Sequence, residues 1–512
     1  MPPRTTDLQT FPDKPRVFVL TDISNEPDDA ESLVRYLLYS NQFQTEGLVA
    51  VSSTWMKNKV CPQDIHKILD AYAGAVDNLN RHTHPEFPYP SADSLRALVK
   101  SGPPVYGFAG VGADKPLTDG AQLLLERIEA PSPDPLWVLV WGGTNVLAQV
   151  LLTIRDKHPA EEAVRLRARL RVYAISDQDD TSAWIRAQFP DVFYIASVHG
   201  WNQYGLAAWT GISGDKYYGF DSGGPDFAKV SKPWIRDNIQ IGPLGSAYPD
   251  FLFIPEGDTP TFLYLVQNGL GDREHPEYGS WGGRYALTDA SDAGQRGRHY
   301  SDMSDSVVGA DGKTYRSNQA TIWRWRDAFQ NDFAARIQWS LDDPDDVVAA
   351  ASPNHHPVVV VNGSRTLAPL RFEAEAGSTI DLDASQTYDP DDGDALVFKW
   401  WQYREPSATQ WLVHFEVSEL GIETLDAEGK KIRVTVPGPD KSCMDLIGRK
   451  PLARGQLLHL VLEVTDSGTP PLTSYRRVLI QTTNKDLRGG RPLREGEEAL
   501  DAIGDAMKDY TG

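Results

Sequence analysis

The chain has 512 residues, 40% of them hydrophobic and 24% charged, which fits a soluble globular protein with two or three domains and at least one large core. A formal net charge of −21 argues against nucleic acid as a partner, since phosphates call for a basic surface. No apolar run approaches the ~18 residues of a membrane helix, and Cys61 and Cys443 are too few and too far apart for a disulfide framework or a zinc site.

The opening "MPPRTTDLQTFPDKPRVFVL" lacks the apolar h-region of a signal peptide, so the protein either stays inside the cell or the sequence begins after processing. From Arg16 to about Pro255, short apolar runs alternate with amphipathic ones. "RVFVL", "EGLVAVSS", "PVYGFAG", "LWVLVWGG", "LRVYAIS", "DVFYIASV" and "FLFIP" read as buried strands, and "DIHKILDAYAGAVDNL" and "TNVLAQVLLTIRDKH" as helices. Strand, helix, strand at this spacing means βαβ units and a mostly parallel sheet, with ligands expected beyond the carboxyl ends of the strands. The Gly-, Asp-, Arg- and Tyr-rich stretch from Gly269 to Gly312 is expected as an ordered covering loop, and "NQATIWRWRDAFQNDFAARIQWSL" as an amphipathic helix that closes residues 1–352.

Past "DDPDDVVAAASPNHHP" the pattern changes to short alternating strands: "VVVVNG", "LRFEAEAGSTIDLDAS", "ALVFKWWQY", "KIRVTVP", "LLHLVLEVTDSG" and "SYRRVLIQTT". This predicts an antiparallel β-sandwich over 353–487, with the boundary near Pro353 and a polar tail over 488–512. "DASQTYDPDDGD" within it reads either as a calcium loop or as a turn rich in Asp. Fourteen tryptophans and twenty tyrosines suit a cleft for sugar rings, although two cores also account for large buried aromatics.

The stretch with most chemistry is "FVLTDISNEPDDAESLVRYLL". Asp22, Glu26, Asp28 and Asp29 fall within eight residues between a buried strand and a helix. Helix capping by Ser24 or Asn25, with acids complementing the dipole, accounts for one or two of them. It leaves Asp22, at the end of an apolar strand, unexplained. A divalent cation explains all four, and all-oxygen ligands favour Ca²⁺ or Mg²⁺. Elsewhere, His199 in "ASVHGWNQYG" reads as a site residue on the same face or as a solvated loop histidine. "SDQDDTSAW" reads as a helix cap. Arg284 in "WGGRY" either clamps a substrate anion or ties down its own loop.

The acidic stretch resembles the Asp-x-Asp-Pro-Gly-x-Asp-Asp-Ala signature of the inosine-uridine nucleoside hydrolases, with Asp22 on the first aspartate and Asp28-Asp29-Ala30 on the last three positions. "EGLVAVSST" resembles that family's second strand, with Thr54 where a sugar-contacting asparagine is usual. "WGGTN" resembles its Gly-Pro-Leu-Thr-Asn, and "EGDTPTFLYL" its late metal-binding segment. The closer resemblance is to a divergent branch of cellulose-binding proteins with a nucleoside-hydrolase-like domain and a cadherin-like or Ig-like C-terminal domain, in which "EGDTP.FLYL..NGL" and "WGGRY" recur. It implies a Rossmann-like α/β domain followed by a β-sandwich.

The resemblance implies Ca²⁺ held by Asp22, Asp29, Asp258 and the Thr144 carbonyl, with Glu26 as a further ligand. Asp28, Thr54, Asn145, Trp281 and Arg284 would contact substrate. Two departures stand out: Ser24 replaces the second aspartate, the usual base, and Gly257 replaces the histidine that aids leaving-group departure. Glu26 is then the substitute base, with Asp22 beside it, and Glu256 or His199 the acid. The expected function is Ca²⁺-dependent hydrolysis of a glycosidic bond in a carbohydrate. A nucleoside N-ribohydrolase and a non-catalytic carbohydrate (cellulose)-binding protein are the alternatives. A carbohydrate partner is expected, with no nucleic acid or membrane partner, and self-association into a homo-oligomer is compatible with the sequence.

Overall fold

Arg16–Thr21 (β1) is buried along its whole length because it lies between two parallel neighbours, Gln44–Ala50 (β2) and Leu136–Val140 (β4). A strand covered on both faces needs no polar alternation, which is why "RVFVLT" is continuously apolar up to its last residue. The computed structural model describes residues 3–199, 201–219, 224–289, 298–341, 353–409, 413–445 and 450–487. The expected tail at 488–512 lies outside the described residues.

The chain divides into two compact units, one of residues 4–266 with 273–354, the other of 1–3, 267–272 and 355–512. The first unit holds an eight-stranded sheet ordered β3-β2-β1-β4-β5-β6-β8-β7, where β3 is Val99–Ser101, β5 Leu170–Ala174, β6 Phe193–Ala196, β7 Tyr285–Asp289 and β8 Arg298–Asp302. All neighbouring pairs are parallel except β7 with β8. From the β1–β4 pair the chain runs outward through β2 and β3 on one side and through β5 and β6 on the other, so a crevice opens beyond the carboxyl ends of those two strands. One face of the sheet packs on the helices Asp119–Glu129 and Asn145–Lys157, where Phe18, Leu20, Val138 and Val140 meet Leu124, Ile128, Val146 and Val150. Asp28–Tyr39 (α1) follows β1 directly.

The mostly parallel α/β sheet is as expected, but four local readings are corrected. "PVYGFAG" turns at Gly107, whose φ of 44° no strand accommodates, and continues as the 3₁₀ helix Gly107–Gly110; the edge strand is Val99–Ser101 instead. "FLFIP" is a surface loop, with Leu252 73% and Phe253 47% exposed. The 269–312 stretch is not one covering loop, since it supplies β7 and β8, which extend the sheet. Arg326–Leu341 is a helix, but it is buried on nearly all sides rather than amphipathic. Its polar groups are paired internally: Arg336 with Asp332 at 3.0 Å, and Asp332 with the Tyr39 hydroxyl at 2.6 Å. Among the described residues no helix is long and apolar enough to cross a membrane.

The second unit is β-rich. A four-stranded sheet orders Leu370–Glu375, Thr473–Thr483, Arg454–Thr465 and Val397–Gln402, and a three-stranded sheet orders Thr379–Asp383, Lys431–Thr435 and Gly421–Thr424. Leu382, Ile432 and Val434 from the smaller sheet share one apolar cluster with Leu458, Leu460, Leu462 and Ile480 from the larger. The pairing is antiparallel except between Leu370–Glu375 and Thr473–Thr483, which run parallel. Residues 267–272 belong to this unit: the Tyr475 amide donates to the Asn268 carbonyl (2.9 Å) and the Arg477 amide to that of Gly269 (3.0 Å). A Cβ at Gly269, with φ of 85°, would stand 2.0 Å from the Tyr475 carbonyl oxygen, so only glycine fits there.

Candidate functional site

The turn after β1 is organised by its last residue. Thr21 Oγ1 donates to Asp29 Oδ1 and accepts from the Ile23 amide at 3.1 Å, which pins the start of α1 to the strand end. The Asn25 amide donates to the Asp22 carbonyl at 3.2 Å. Neither Ser24 nor Asn25 caps α1: the helix is preceded by Pro27 and has no side-chain cap. Ser24, at φ of 81°, is exposed and its hydroxyl donates to Asp64. Capping therefore does not explain the acids, although Asp28, Asp29 and Glu31 do lie in the first turn, where the helix dipole favours them.

Asp22, Asp29 and Asp258 are almost completely buried, and Asp28 is partly so. Asp28, Asp29 and Asp258 each offer an oxygen within 4.8 Å of the others. Both carboxylate oxygens of Asp258 and Oδ2 of Asp22 are buried without a hydrogen-bond partner. Burial pushes the Asp22 carboxyl up to about 6, and burial with the charges of Glu26 and Asp22 pushes Asp28 up to about 8. Asp29 and Asp258 are raised well above the ordinary carboxylate range, by burial and then by neighbouring carboxylates. Orphaned carboxylate oxygens in a low-dielectric site are costly unless a positive charge joins them. The donor set is all oxygen, the chemistry of a hard divalent cation, so the residues present fit a metal ion.

The parts meet because two loops are tightly packed. The Trp141 amide, just past β4, donates to the Leu20 carbonyl at 2.8 Å, and a Cβ on Gly142 would come within 2.9 Å of Asp22 Cβ. Trp141 Nε1 donates to Thr261 Oγ1 at 2.8 Å, and Thr261 Oγ1 donates in turn to the Asp258 carbonyl at 2.8 Å. The late aspartate is thereby tied to the carboxyl ends of β1 and β4. Above the acids lies a cavity of about 500 Å³, lined by Asp22, Glu26, Asp28, Asp29 and Asp258 together with Trp55, Trp141, Tyr204, Trp209 and Phe253. Trp55 is 52% exposed at its rim, and the Tyr204 and Trp209 rings meet edge to face at 5.4 Å.

The expected site residues divide sharply. Glu26 is half-buried in the cavity wall, and burial raises its carboxyl. Asp22 and Glu26 line the cavity but lie outside the 4.8 Å oxygen set, whereas Asp28, expected on sugar hydroxyls, lies inside it. The Thr144 carbonyl accepts the first bond of its helix, from the Ala148 amide at 2.9 Å, and its hydroxyl joins Asp179, Thr181 and Ser182. Asp179 also accepts from the Thr144 and Thr181 amides, but the helix Thr181–Gln188 that starts within "SDQDDTSAW" has no side-chain cap at Asp180. Asn145 is buried below, with Nδ2 on Ser52 Oγ and the Val105 carbonyl, and the Thr54 amide donates to the Gln178 carbonyl at 2.7 Å.

Four of the expected site residues are paired or buried away from the cavity lining. Glu256 is locked to Arg35 at 3.1 Å and is not among the lining residues, so it is not placed to act as an acid. His199 Nε2 meets Asp302 at 2.8 Å, an oxygen pair shared with Ser197. Arg284 ties down its loop through Asp305 (2.8 Å) and the Ser304 carbonyl (2.7 Å). Trp281 is 1% exposed, with its ring 6.4 Å from that of Phe329. Gln178, Tyr204, Trp209 and Phe253 also line the cavity; the aromatic richness of the chain was the signal for the three rings, and Gln178 had none. In the second unit, Asp389, Asp391 and Asp394 also converge within 4.8 Å. There Asp391 accepts from the His355 amide at 2.7 Å, and Asp389 from the Asp391 amide at 2.9 Å, so the group also serves as a turn.

The model of the family described as cellulose-binding Sde182, nucleoside hydrolase-like domain, matches residues 16–285, and that of the cellulose-binding protein Sde0182 C-terminal domain matches residues 379–482. Among solved structures, a nucleoside hydrolase-related hypothetical protein from Saccharophagus degradans, associated with carbohydrate metabolism, is 28% identical, covering 92% of this chain and 100% of that one at a TM-score of 0.72. The effector protein XOO4466 (13% identity, 57% of this chain and 88% of that one, TM-score 0.28) carries no structural argument. No curated protein matches. With the first model spanning more than half of its length, the chain belongs to the cellulose-binding Sde182 family, with a nucleoside hydrolase-like N-terminal domain and an Sde0182-type C-terminal domain.

Proposed function

We propose that the cavity beyond β1 binds a carbohydrate together with a divalent cation, Ca²⁺ by its oxygen-only donors. The observation that carries this is Asp258, buried with two unpartnered carboxylate oxygens beside Asp28 and Asp29, at the base of an aromatic-walled cavity. Aromatic faces pack against the C–H faces of sugar rings while carboxylates accept from their hydroxyls. Family membership and the carbohydrate association of the Saccharophagus degradans relative support the ligand class. The test is to incubate the full chain with cellulose and a panel of plant, fungal and bacterial glycans, in Ca²⁺ or in chelator, and measure both retention and released reducing sugar. Retention that needs Ca²⁺ is expected. No retention of any glycan, or retention indifferent to chelator, overturns the reading.

A second reading, hydrolysis of a glycosidic bond, is favoured by Glu26. A bound cation would supply Lewis acidity and an anchor for vicinal hydroxyls. Glu26 lies in the cavity wall with its carboxyl raised by burial, which suits a group that takes a proton from an attacking water. Asp28 would accept from sugar hydroxyls, and the indole and phenol rings of Trp209 and Tyr204 would exclude solvent from the reacting ring.

A nucleoside substrate has less support. A Cβ at Gly257 would come 2.8 Å from Asp28 Oδ2 and 3.2 Å from the Trp209 ring, so a histidine has no room there. Gly257→His should therefore displace Asp28 and shrink the Ca²⁺-induced rise in melting temperature without creating nucleoside hydrolysis. We also propose that the domain boundary lies near Pro353. A fragment ending there should melt cooperatively, and an insoluble or non-cooperative fragment would place the boundary elsewhere.

A further inference from the structure

We propose that Glu31 is a positioning residue of the acidic cluster, holding the 256–259 loop on α1 so that Asp258 stands against Asp28 and Asp29. The inference rests on the cation reading above but is carried by separate observations. α1 presents Asp28, Glu31, Ser32 and Arg35 at helical i, i+3, i+4 and i+7 spacing, so all four share one face. Three of them grip the loop on either side of Asp258. Glu31 Oε2 accepts from the Glu256 amide at 2.8 Å. Arg35 Nη1 donates to both Glu256 carboxylate oxygens, at 3.2 and 3.1 Å. Thr259 Oγ1 donates to Ser32 Oγ at 3.0 Å.

The grip is needed because the loop is strained. Glu256 has φ of 58°, left-handed backbone that a non-glycine residue adopts only when its surroundings enforce it. Arg35 is itself held from the other side, by Gln330 Oε1 at 2.8 Å and by the Phe333 ring 4.5 Å from its guanidinium carbon. Glu31 is wholly buried, with the Tyr248 hydroxyl as another donor beside its carboxylate, and a buried carboxylate with so few donors is costly. What it offers is one acceptor, aimed at the amide of the strained residue two positions before Asp258.

The test compares Glu31→Gln, which keeps an acceptor and loses the charge, with Glu31→Ala, which loses both. Two readouts on the full chain are Ca²⁺ affinity by titration calorimetry and hydrogen exchange, in chelator, of the peptide covering 254–259. Glu31→Ala should weaken Ca²⁺ binding by roughly tenfold, about one buried hydrogen bond, and speed exchange of the loop. Glu31→Gln should stay near wild type in both. Wild-type affinity in Glu31→Ala overturns the proposal, and so does equal loss in both variants, which would mean that charge rather than position is at work. If the wild-type chain takes up no Ca²⁺, the cation reading fails, and the exchange arm alone decides the loop-holding role: faster exchange only in Glu31→Ala upholds it, and unchanged exchange overturns it.

Discussion

Glu26→Gln should leave Ca²⁺ uptake and glycan retention near wild type while lowering any release of sugar by roughly two to four orders of magnitude, the usual contribution of a general base. The substitution keeps the size and shape of the side chain while removing its charge and its ability to take up a proton. It is informative because Ser24, which aligns with the second aspartate of the nucleoside hydrolase signature, is turned out toward Asp64. Asp22 is the competing base: it lines the same cavity, but lies against Gly142 and is more deeply buried. Normal turnover in Glu26→Gln with a dead Asp22→Asn would assign the base to Asp22. If wild type releases no sugar from any glycan while still retaining polysaccharide, the site is for binding only.

The acidic cluster should also make stability depend on pH with a sign opposite to that of ordinary surface carboxylates. Asp22 and Asp28 sit at about 6 and about 8 in the folded chain, above the ~3.9 of an unfolded aspartate. A group raised on folding binds more protons in the native state. Its contribution is therefore complete below pH ~4 and is lost as pH rises through the folded values. In chelator the melting temperature should fall between pH 5.5 and 8.5, a window above the titration of ordinary carboxylates, and the fall should be smaller in Asp28→Asn. Ca²⁺ replaces the protons, so the rise it produces should be small at pH 5.5 and large at pH 8.5, on the order of 5 °C or more. Asp258→Asn should remove most of that increment. A chelated melting temperature that is flat or rises across the window, or an increment equal at both ends, would contradict this electrostatic account.

What could be read in the sequence follows from how local each signal is. The unbroken apolar run of β1 and the strand alternation of residues 370–483 are written in consecutive residues, and both were legible. Asp22, Glu26, Asp28 and Asp29 were legible as one turn for the same reason. Asp258 was reached through resemblance to a family segment. Glu256 was misread as an acid because its partner, Arg35, is 221 residues away, and nothing beside Glu256 in sequence announces an ion pair. "FLFIP" was misread because a five-residue apolar run looks alike in a buried strand and in a cavity-facing loop. Phe253 and Ile254 line the cavity, where apolar surface has a use without burial in a sheet. Arg326–Leu341 was expected to show a polar face to solvent, but its polar side chains serve internal partners such as Tyr39 and Gly211.

The central claim, that the acids beyond β1 surround a divalent cation, is tested most directly by crystals of the full chain grown in millimolar Ca²⁺ and measured at a long wavelength. An anomalous peak should stand among the oxygens of Asp28, Asp29 and Asp258, at about 2.3–2.6 Å from its ligands, and vanish in Asp258→Asn. The absence of any peak among these carboxylates at that concentration would contradict the account and leave the helix dipole as the remaining partner for the acids in the first turn of α1.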